Sequence, residues 1–296
     1  MKFCSAFATA GCALLTLSFA SRTEGALIYG ITDVAGAGGA LVSFDSATPT
    51  SVTTIGPITG VTNLRGIDFR PSNNQLYGGG YDNVTGTFQL YTISTTTGAA
   101  TPVGTSFVMP GFLSTTRVSI DVNPVADALR VIVASGAPLT RSYRVNLNTG
   151  ALIAQDTDFS PAALYADVAY TNNVPGASTT SLFTYNFNTD VIGVLAAPNT
   201  GIVTDVGPAN FVAFNAAVGF DVDSFGNAFL MMDEQVSPTA ESEFFTVDLG
   251  TGAATLVATM PAVLLDIAAA TVPEPGSAAL ATLGLTAMLM RRRRRS

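Results

Sequence analysis

The chain has 296 residues, of which 48% are hydrophobic, and its formal net charge is −8. It contains no His and no Trp, and its only Lys is Lys2 at the N-terminus. The acidic balance argues against nucleic acid as a partner, and the composition excludes His-based nucleophiles, His-ligated zinc and Lys Schiff bases in the body of the chain.

The N-terminal residues have the organisation of a secretory signal peptide. Lys2 supplies a positive charge, an apolar stretch follows, and Ser18-Phe19-Ala20 is an A-x-A-like cleavage site. We therefore expect residues 1–20 to be removed after Ala20 during passage through the secretion translocon. Cys4 and Cys12 both lie in this segment, so the exported protein has no disulfide bond and depends on its core alone.

Residues 26–271 have the composition of one all-β domain. They contain no convincing helical pattern, and short alternating runs rich in Val, Ile, Phe, Tyr and Thr are separated by Gly, Pro and Asn. Such a pattern is typical of a sandwich, a barrel or a propeller.

The first repeat is a strand pattern of a large apolar residue, a spacer, an apolar residue and then Asp, Asn or Ser. It occurs five times, at 42–45, 91–94, 143–146, 183–186 and 245–248. Three copies lead into Thr-Gly, where Gly supplies the positive φ of a hairpin turn. The uneven spacing predicts that the fourth copy is displaced by one strand within its unit.

The second repeat places one aspartate in a short apolar strand. Its members are Asp68, Asp121, Asp167, Asp221 and Asp266, at intervals of 45 to 54 residues. Together the repeats give four strands in about 50 residues, five times over, which predicts a five-bladed β-propeller. The alternatives are six blades or a β-sandwich.

The ends of the domain indicate how the ring closes. The N-terminal part supplies three strands, at 27–31, 41–44 and 52–55, and no first strand, whereas the C-terminal part supplies a single strand at 264–270. We expect the C-terminal strand to complete the first blade, because this closure removes two exposed sheet edges.

Two stretches also resemble a known family. Residues 126–132 leading to 143–151, and 170–173 leading to 177–183, are similar to a bacterial secreted, propeller-like family known as a domain of unknown function. The resemblance covers most of 26–271. It implies the fold and carries no activity and no catalytic residues.

The five repeated aspartates are the sharpest candidates for a site. On innermost strands they would approach the axis, where oxygen ligands could bind a hard cation such as calcium. The alternative is structural, with each carboxylate bonding backbone between blades, and repetition in every unit favours it. We therefore predict no metal and no cofactor, with Asp68, Asp121, Asp167, Asp221 and Asp266 as weak calcium candidates.

Other acidic and aromatic residues carry weaker hypotheses. Residues 221–227 partly resemble a calcium loop, but Phe225 stands where an oxygen ligand is needed, which favours a hairpin turn. Asp156 and Asp158 are expected in a solvated loop. Glu241 and Glu243 share one side of a strand. Five tyrosines suit a sugar-binding face or, more commonly, a core: Tyr29, Tyr77, Tyr81, Tyr91 and Tyr165.

Residues 272–296 form a distinct tail. Pro273-Glu274-Pro275 precedes an apolar run at 277–290 and then five arginines, Arg291, Arg292, Arg293, Arg294 and Arg295. The order resembles the PEP-CTERM sorting signal of bacteria that make extracellular polysaccharide, which implies processing by an exosortase. The arginines are expected to stay on the cytoplasmic side, with the domain outside. The alternative is an ordinary C-terminal anchor.

These observations predict an exported, non-catalytic surface or extracellular-matrix protein whose propeller binds an unknown ligand. Without Lys2 and the five terminal arginines, 7 basic residues remain against 21 acidic ones, which fits an extracellular protein. The alternative is a metal-dependent hydrolase or lyase that uses carboxylates. Expected partners are the translocon, an exosortase and extracellular polysaccharide, with transient anchoring in the inner membrane before release to the cell surface or medium.

Overall fold

A computed structural model describes residues 25–32, 39–61, 63–111, 116–135, 139–211, 218–234 and 241–271. The described chain forms five four-stranded antiparallel sheets, each of which is one blade of a propeller. Blade 1 contains β1 (Leu27–Thr32), β2 (Ala40–Asp45), β3 (Thr53–Pro57) and, from the far end of the chain, β20 (Leu264–Ala269). Blade 2 contains β4 (Leu64–Arg70), β5 (Gln75–Asp82), β6 (Thr87–Ile93) and β7 (Ala100–Val108).

The remaining blades follow in chain order. Blade 3 contains β8 (Thr116–Asn123), β9 (Ala128–Ser135), β10 (Leu139–Asn146) and β11 (Leu152–Gln155). Blade 4 contains β12 (Tyr165–Tyr170), β13 (Leu182–Asn186), β14 (Val191–Leu195) and β15 (Thr204–Pro208). Blade 5 contains β16 (Val218–Val222), β17 (Ala228–Glu234), β18 (Glu241–Val247) and β19 (Ala254–Met260). The only helical element among the described residues is a single 3-10 turn at Pro198–Thr200.

The innermost strands close the ring. They are β20, β4, β8, β12 and β16, and each contacts the innermost strand of the next blade, including β20 against β4. Ile28 of β1 pairs with Ala269 of β20, so the last strand completes the first blade as predicted. The five-bladed prediction is confirmed, and neither six blades nor a sandwich is found.

Burial follows from this arrangement. Every residue of β12 and of β16 is buried because an inner strand has a neighbouring blade on each side, whereas the outer strand β7 is mostly exposed or half-buried. The apolar side chains form five clusters, and each cluster lies between two adjacent blades. The core is therefore a set of interfaces between blades, and its stability depends on the blades remaining in contact.

The aromatic repeat also occupies its predicted places. Four copies fall on the third strand of their blades, whereas the copy at 183–186 lies on β13, the second strand of blade 4. The expected displacement of one strand is therefore observed. The Thr-Gly turns have the predicted positive φ, at Gly98 (76°), Gly150 (68°) and Gly252 (79°).

The same turns show a close approach that the sequence did not reveal. A Cβ on Gly104, in the outer strand of blade 2, would lie 1.8 Å from the carbonyl oxygen of Thr149 in the turn of blade 3. Gly56 approaches the carbonyl of Thr97 in the same way, and Gly207 that of Thr251. Glycine therefore lets the outer strand of one blade touch the hairpin turn of the next.

Candidate functional site

One aspartate lies in each innermost strand, and all five are buried. They are Asp266 on β20, Asp68 on β4, Asp121 on β8, Asp167 on β12 and Asp221 on β16. Carboxylate oxygens of Asp68, Asp121 and Asp221 lie within 4.8 Å of one another. Because blades 2 and 5 are not neighbours, Asp68 and Asp221 meet across the axis of the ring.

Each carboxylate accepts a hydrogen bond from the backbone of the next blade, in an unbroken circle. The donors are N–H groups, at these nitrogen–oxygen distances: Val122 to Asp68 2.6 Å, Tyr170 to Asp121 3.1 Å, Phe220 to Asp167 2.9 Å, Ala269 to Asp221 2.6 Å and Ile67 to Asp266 2.8 Å. Four of the five also accept the N–H of the following residue: Phe69, Val168, Val222 and Ile267. The repeated aspartate therefore has the same structural role in every blade, which is to connect its blade to the next one.

The partners of these bonds show that the aspartates are staggered along the axis. Asp121 accepts from Tyr170, three residues beyond Asp167, whereas Asp167 accepts from Phe220, one residue before Asp221. Asp167 therefore sits apart from the cluster of Asp68, Asp121 and Asp221, and it also accepts a bond from the hydroxyl of Ser119.

One guanidinium group, that of Arg117, affects the two aspartates outside this cluster, Asp167 and Asp266. Arg117 of β8 donates to the carbonyl oxygens of Val218 and, at 2.9 Å, of Leu265, which belong to blades 5 and 1. Its positive charge lowers the pKa of Asp167 and Asp266. For both carboxyl groups, however, burial raises the pKa by more than this charge lowers it.

Burial is the first cause of the raised pKa at all five aspartates. It raises the pKa of Asp68 to about 7 and that of Asp167 to about 6, against the lowering effect of their hydrogen bonds. The pKa values of Asp121, Asp221 and Asp266 are well above the ordinary value, because burial and neighbouring carboxylates both favour the neutral form. The five axial aspartates therefore tend to hold protons or to attract a cation.

Asp68, Asp121 and Asp221 are the residues that would hold a cation. Carboxylate oxygens are the ligands that calcium prefers, but calcium takes about 6–8 oxygens, which is more than three monodentate groups supply. Asp68 and Asp221 already accept a backbone bond on both oxygens. The geometry fits a structural ring directly and a calcium site only with further ligands.

A shallow groove of about 310 Å³ lies away from the axial aspartates, between the loops that join the first and second strands of blades 4 and 5, residues 171–181 and 223–227. Its lining is small and mostly polar: Asn172, Val174, Gly176, Ala177, Ser178, Thr179 and Ser224. None of these side chains titrates near neutral pH. Phe225, next to Ser224, is 69% exposed. The groove offers amides, hydroxyls and an adjacent aromatic ring, which are binding groups without an acid or base.

The calcium-loop resemblance at 221–227 resolves into a turn. Asp223 is buried and accepts the backbone N–H groups of Phe225 and Asn227, both at 2.8 Å, and the side-chain amide of Asn227. Asp221 bonds to blade 1 instead, at Ala269. The two aspartates of this stretch therefore serve different purposes.

The tyrosine and glutamate candidates do not form one surface. Tyr77, Tyr81 and Tyr165 are buried in the cores between blades. Glu241 and Glu243 lie on β18, the third strand of blade 5, away from the inner strands that carry the axial aspartates.

The prediction that Asp156 is solvated was wrong. Its side chain is 5% exposed and forms ion pairs with Arg130 and Arg144. The error arose because Asp-x-Asp is common in loops, whereas here residues 156–159 continue alongside β10, with Asp156 N–H donating to Ser142 at 2.8 Å and Phe159 N–H to Thr140 at 2.9 Å.

Arg130 was not among the residues predicted from the sequence. This fully buried side chain on β9 donates to Ser142 and Asp156 within its own blade. It also reaches blade 4, through the hydroxyl of Tyr170 at 2.7 Å and the amide oxygen of Asn199 at 2.7 Å. The available signal was an arginine inside the apolar strand Ala128–Ser135, where a charge must have buried partners.

The folded domain extends to the start of the tail. Thr271 is buried, its hydroxyl donates to the side-chain oxygen of Asn74 at 2.6 Å, and Ala270 N–H donates to Leu27 at 2.8 Å. Residues 1–24 and 272–296, and with them the predicted cleavage after Ala20, the motif at 273–275, the apolar run and the arginines, lie outside the described residues. Within the residues that are described, no helix is both long and apolar enough to cross a membrane.

A solved structure with a TM-score above 0.5 supports the fold and nothing beyond the fold. An engineered GH43 glycoside hydrolase with endo-xylanase and exo-arabinofuranosidase activity is 9% identical with a TM-score of 0.51, over 78% of this chain and 50% of that one. A putative exo-beta-1,3-galactanase from Bifidobacterium bifidum is 15% identical (TM-score 0.47, 66% and 72% coverage). A putative 6-phosphogluconolactonase from Bacteroides uniformis is 12% identical (TM-score 0.43, 81% and 83%).

Sequence families give a more specific result, although no curated protein matches. Residues 40–268 match the domain of unknown function DUF4394, and residues 271–295 match the PEP-CTERM protein-sorting motif. The second match begins at Thr271, where the described fold ends. The chain therefore belongs to the DUF4394 family and is an exported protein that carries a five-bladed propeller and a C-terminal motif for exosortase processing.

Proposed function

We propose that this protein is a non-catalytic component of the cell surface or extracellular matrix whose propeller binds an extracellular ligand. The observation that carries the proposal is that the repeated aspartates are already hydrogen-bonded to backbone. Each of them accepts an N–H bond from the next blade, so their role is to connect the blades. A catalytic carboxylate would instead need to reach a substrate.

The groove between blades 4 and 5 supports binding rather than turnover. Its amide and hydroxyl groups, including Asn172, Ser178 and Thr179, suit hydrogen bonds to a sugar, and the exposed ring of Phe225 suits stacking. We therefore propose extracellular polysaccharide as the ligand class.

The proposal is tested by incubating the purified protein with extracellular polysaccharide from an exosortase-bearing bacterium. We expect the protein to be retained by the polysaccharide, whose chain length stays constant. Ser178→Tyr should weaken retention because it fills the groove, whereas Val84→Tyr, at an exposed turn of blade 2, should not. Shortening of the polysaccharide would contradict the non-catalytic proposal.

A second candidate function is favoured by the cluster of Asp68, Asp121 and Asp221. Three buried carboxylates within 4.8 Å of one another suit a metal-dependent hydrolase or lyase if a calcium ion binds among them. A bound ion would raise the melting temperature through mass action. Calcium titration therefore separates the two candidates.

The titration has a matched pair of variants. If calcium binds, millimolar calcium raises the melting temperature, Asp121→Asn abolishes the rise, and Asp82→Asn, in an exposed turn, preserves it. An unchanged melting temperature would contradict the calcium site and favour a purely structural role for the five aspartates.

We also propose that the tail anchors the precursor in the inner membrane until an exosortase removes it. The apolar run at 277–290 is shorter than the roughly 20 residues of an ordinary span, but the five arginines that follow can extend toward the interface. Replacing Pro273, Glu274 and Pro275 with Ala should leave unprocessed precursor in the membrane. Normal release of that variant would favour an ordinary anchor that does not depend on the motif.

A further inference from the structure

One face of the propeller carries both ends of the domain. Each innermost strand leads into the second strand of its blade at this face, through the connections 71–74, 124–127, 171–181 and 223–227. In blade 1 the same position is taken by the entry of the chain at Leu27 and its departure at Thr271, because β1 and β20 pair there. We call these connections and chain ends the exit face.

The exit face presents apolar side chains in four of the five blades. They are Leu27 in blade 1, Val125 in blade 3, Val174 in blade 4 and Phe225 in blade 5, with exposures of 41%, 46%, 37% and 69%. Isolated exposed apolar residues are ordinary, but one at the same end of successive blades forms a pattern.

Charge is scarce on the same face. Among the described residues of the connections and chain ends, the charged ones are Asp127 and Asp223. The turns between the third and fourth strands lie at the same end of the antiparallel blades and add only Asp248, which is exposed. Asp127 forms an ion pair with Arg70, and Asp223 is buried in its turn. The face therefore combines apolar tips with small polar groups, in a protein whose exported part is strongly acidic.

The tail holds this face close to its own apolar run. Thr271 is fixed to Asn74, and only residues 272–276 separate it from the run at 277–290. Five extended residues reach at most about 17–18 Å. Strands β5 and β9 run between the two faces, and their eight residues rise about 3.3 Å each, so the opposite face lies about 26 Å away, farther than the tether can reach.

We infer that the exit face rests on the lipid bilayer while the tail is attached, with Leu27, Val174 and Phe225 in the interfacial layer. The inference rests on the proposed anchoring by residues 277–290. A face that is apolar at its tips and nearly uncharged loses little hydration at the headgroups, whereas acidic surfaces are repelled by anionic lipids. Removal of the tail would then release the whole face to solvent.

Because the sequence contains no Trp, a Trp introduced by substitution is the only one in the protein, and its fluorescence reports on that position alone. Phe225→Trp places a single reporter on the exit face, and Val84→Trp places one at the turn between β5 and β6, on the opposite face and 80% exposed. Both variants are made in the full chain, incorporated into vesicles of bacterial phospholipids, and compared in melting temperature to verify folding.

We expect the emission of the Phe225→Trp variant to shift to shorter wavelength in vesicles and to be quenched by brominated phospholipids. Val84→Trp should show no shift and should be quenched by aqueous acrylamide. If the protein floats with the vesicles while both reporters respond to acrylamide alone, the orientation is wrong and the anchoring stands. If the chain does not float with vesicles at all, the anchoring and the inference fail together.

Discussion

Asp68 and Asp167 link the chemistry of single carboxyl groups to the stability of the ring. Their folded-state pKa values, about 7 and about 6, exceed the value near 3.9 of an unfolded aspartate. The folded state therefore holds protons that the unfolded chain has already released. Their contribution to stability is complete below about pH 4 and is lost as pH rises through 6 and 7.

We therefore predict that the free energy of unfolding decreases from pH 5 to pH 8. Urea unfolding across this range measures it, and the range avoids the titration of Asp127, whose pKa is lowered by Arg70. Asp68→Asn should be less stable, because its amide group would face a backbone N–H, but it should show a shallower pH slope. Stability that rises with pH would contradict the assignment of raised pKa values.

Arg130 gives a second prediction at this scale. Arg130→Met leaves the hydroxyls of Tyr170 and Ser142 and the amide of Asn199 without this donor, so we expect a loss of about 3–5 kcal/mol in unfolding free energy. Arg144→Met is the control, since Arg144 is 30% exposed and Asp156 keeps Arg130; it should cost about 1 kcal/mol or less. Equal losses would show that Arg130 does not connect the blades.

At the scale of elements, the strands were predictable because alternation and turn chemistry are local. The aspartate strand, the aromatic strand and the Thr-Gly turn each recur in sequence, and their order gave four strands per blade. The stagger of the axial aspartates was not predictable, because intervals of 45 to 54 residues do not fix the height of one strand against the next. For the same reason, the sequence did not predict the contacts between the outer strand of one blade and the hairpin turn of the next.

Those contacts lead to a prediction on Gly104. Gly104→Ala introduces a Cβ that would lie 1.8 Å from the carbonyl oxygen of Thr149, and it also strains a backbone with a φ of 64°. Gly176→Ala shares the backbone strain, with a φ of 72°, but meets nothing within 4 Å. We expect the control to cost about 1–2 kcal/mol and Gly104→Ala clearly more. Similar melting temperatures for the two variants would show that the close approach is unimportant.

At the scale of the whole molecule, the domain and its tail meet without a spacer. Thr271 still belongs to the fold through Asn74, and the sorting-motif match begins at the same residue. The sequence predicted this junction because the closing strand and the Pro-Glu-Pro motif are nearly adjacent. It could not predict the apolar tips of the exit face, since these come from loops that the ring alone brings together.

We predict that loss of the tail leaves the fold intact. Strand β20 ends at Ala269, and the strand pairs that the structure describes for it lie within residues 25–271, so cleavage beyond Val272 breaks none of these pairs. The released protein should therefore be a complete propeller with almost no remnant of the motif.

The intact mass of the protein released by an exosortase-bearing cell tests this account most directly. We predict a single species that begins after Ala20 and ends within residues 272–275, with the apolar run and the arginines removed. A released protein that retains Arg291 to Arg295, or a protein found only as the full-length membrane form, would contradict the account.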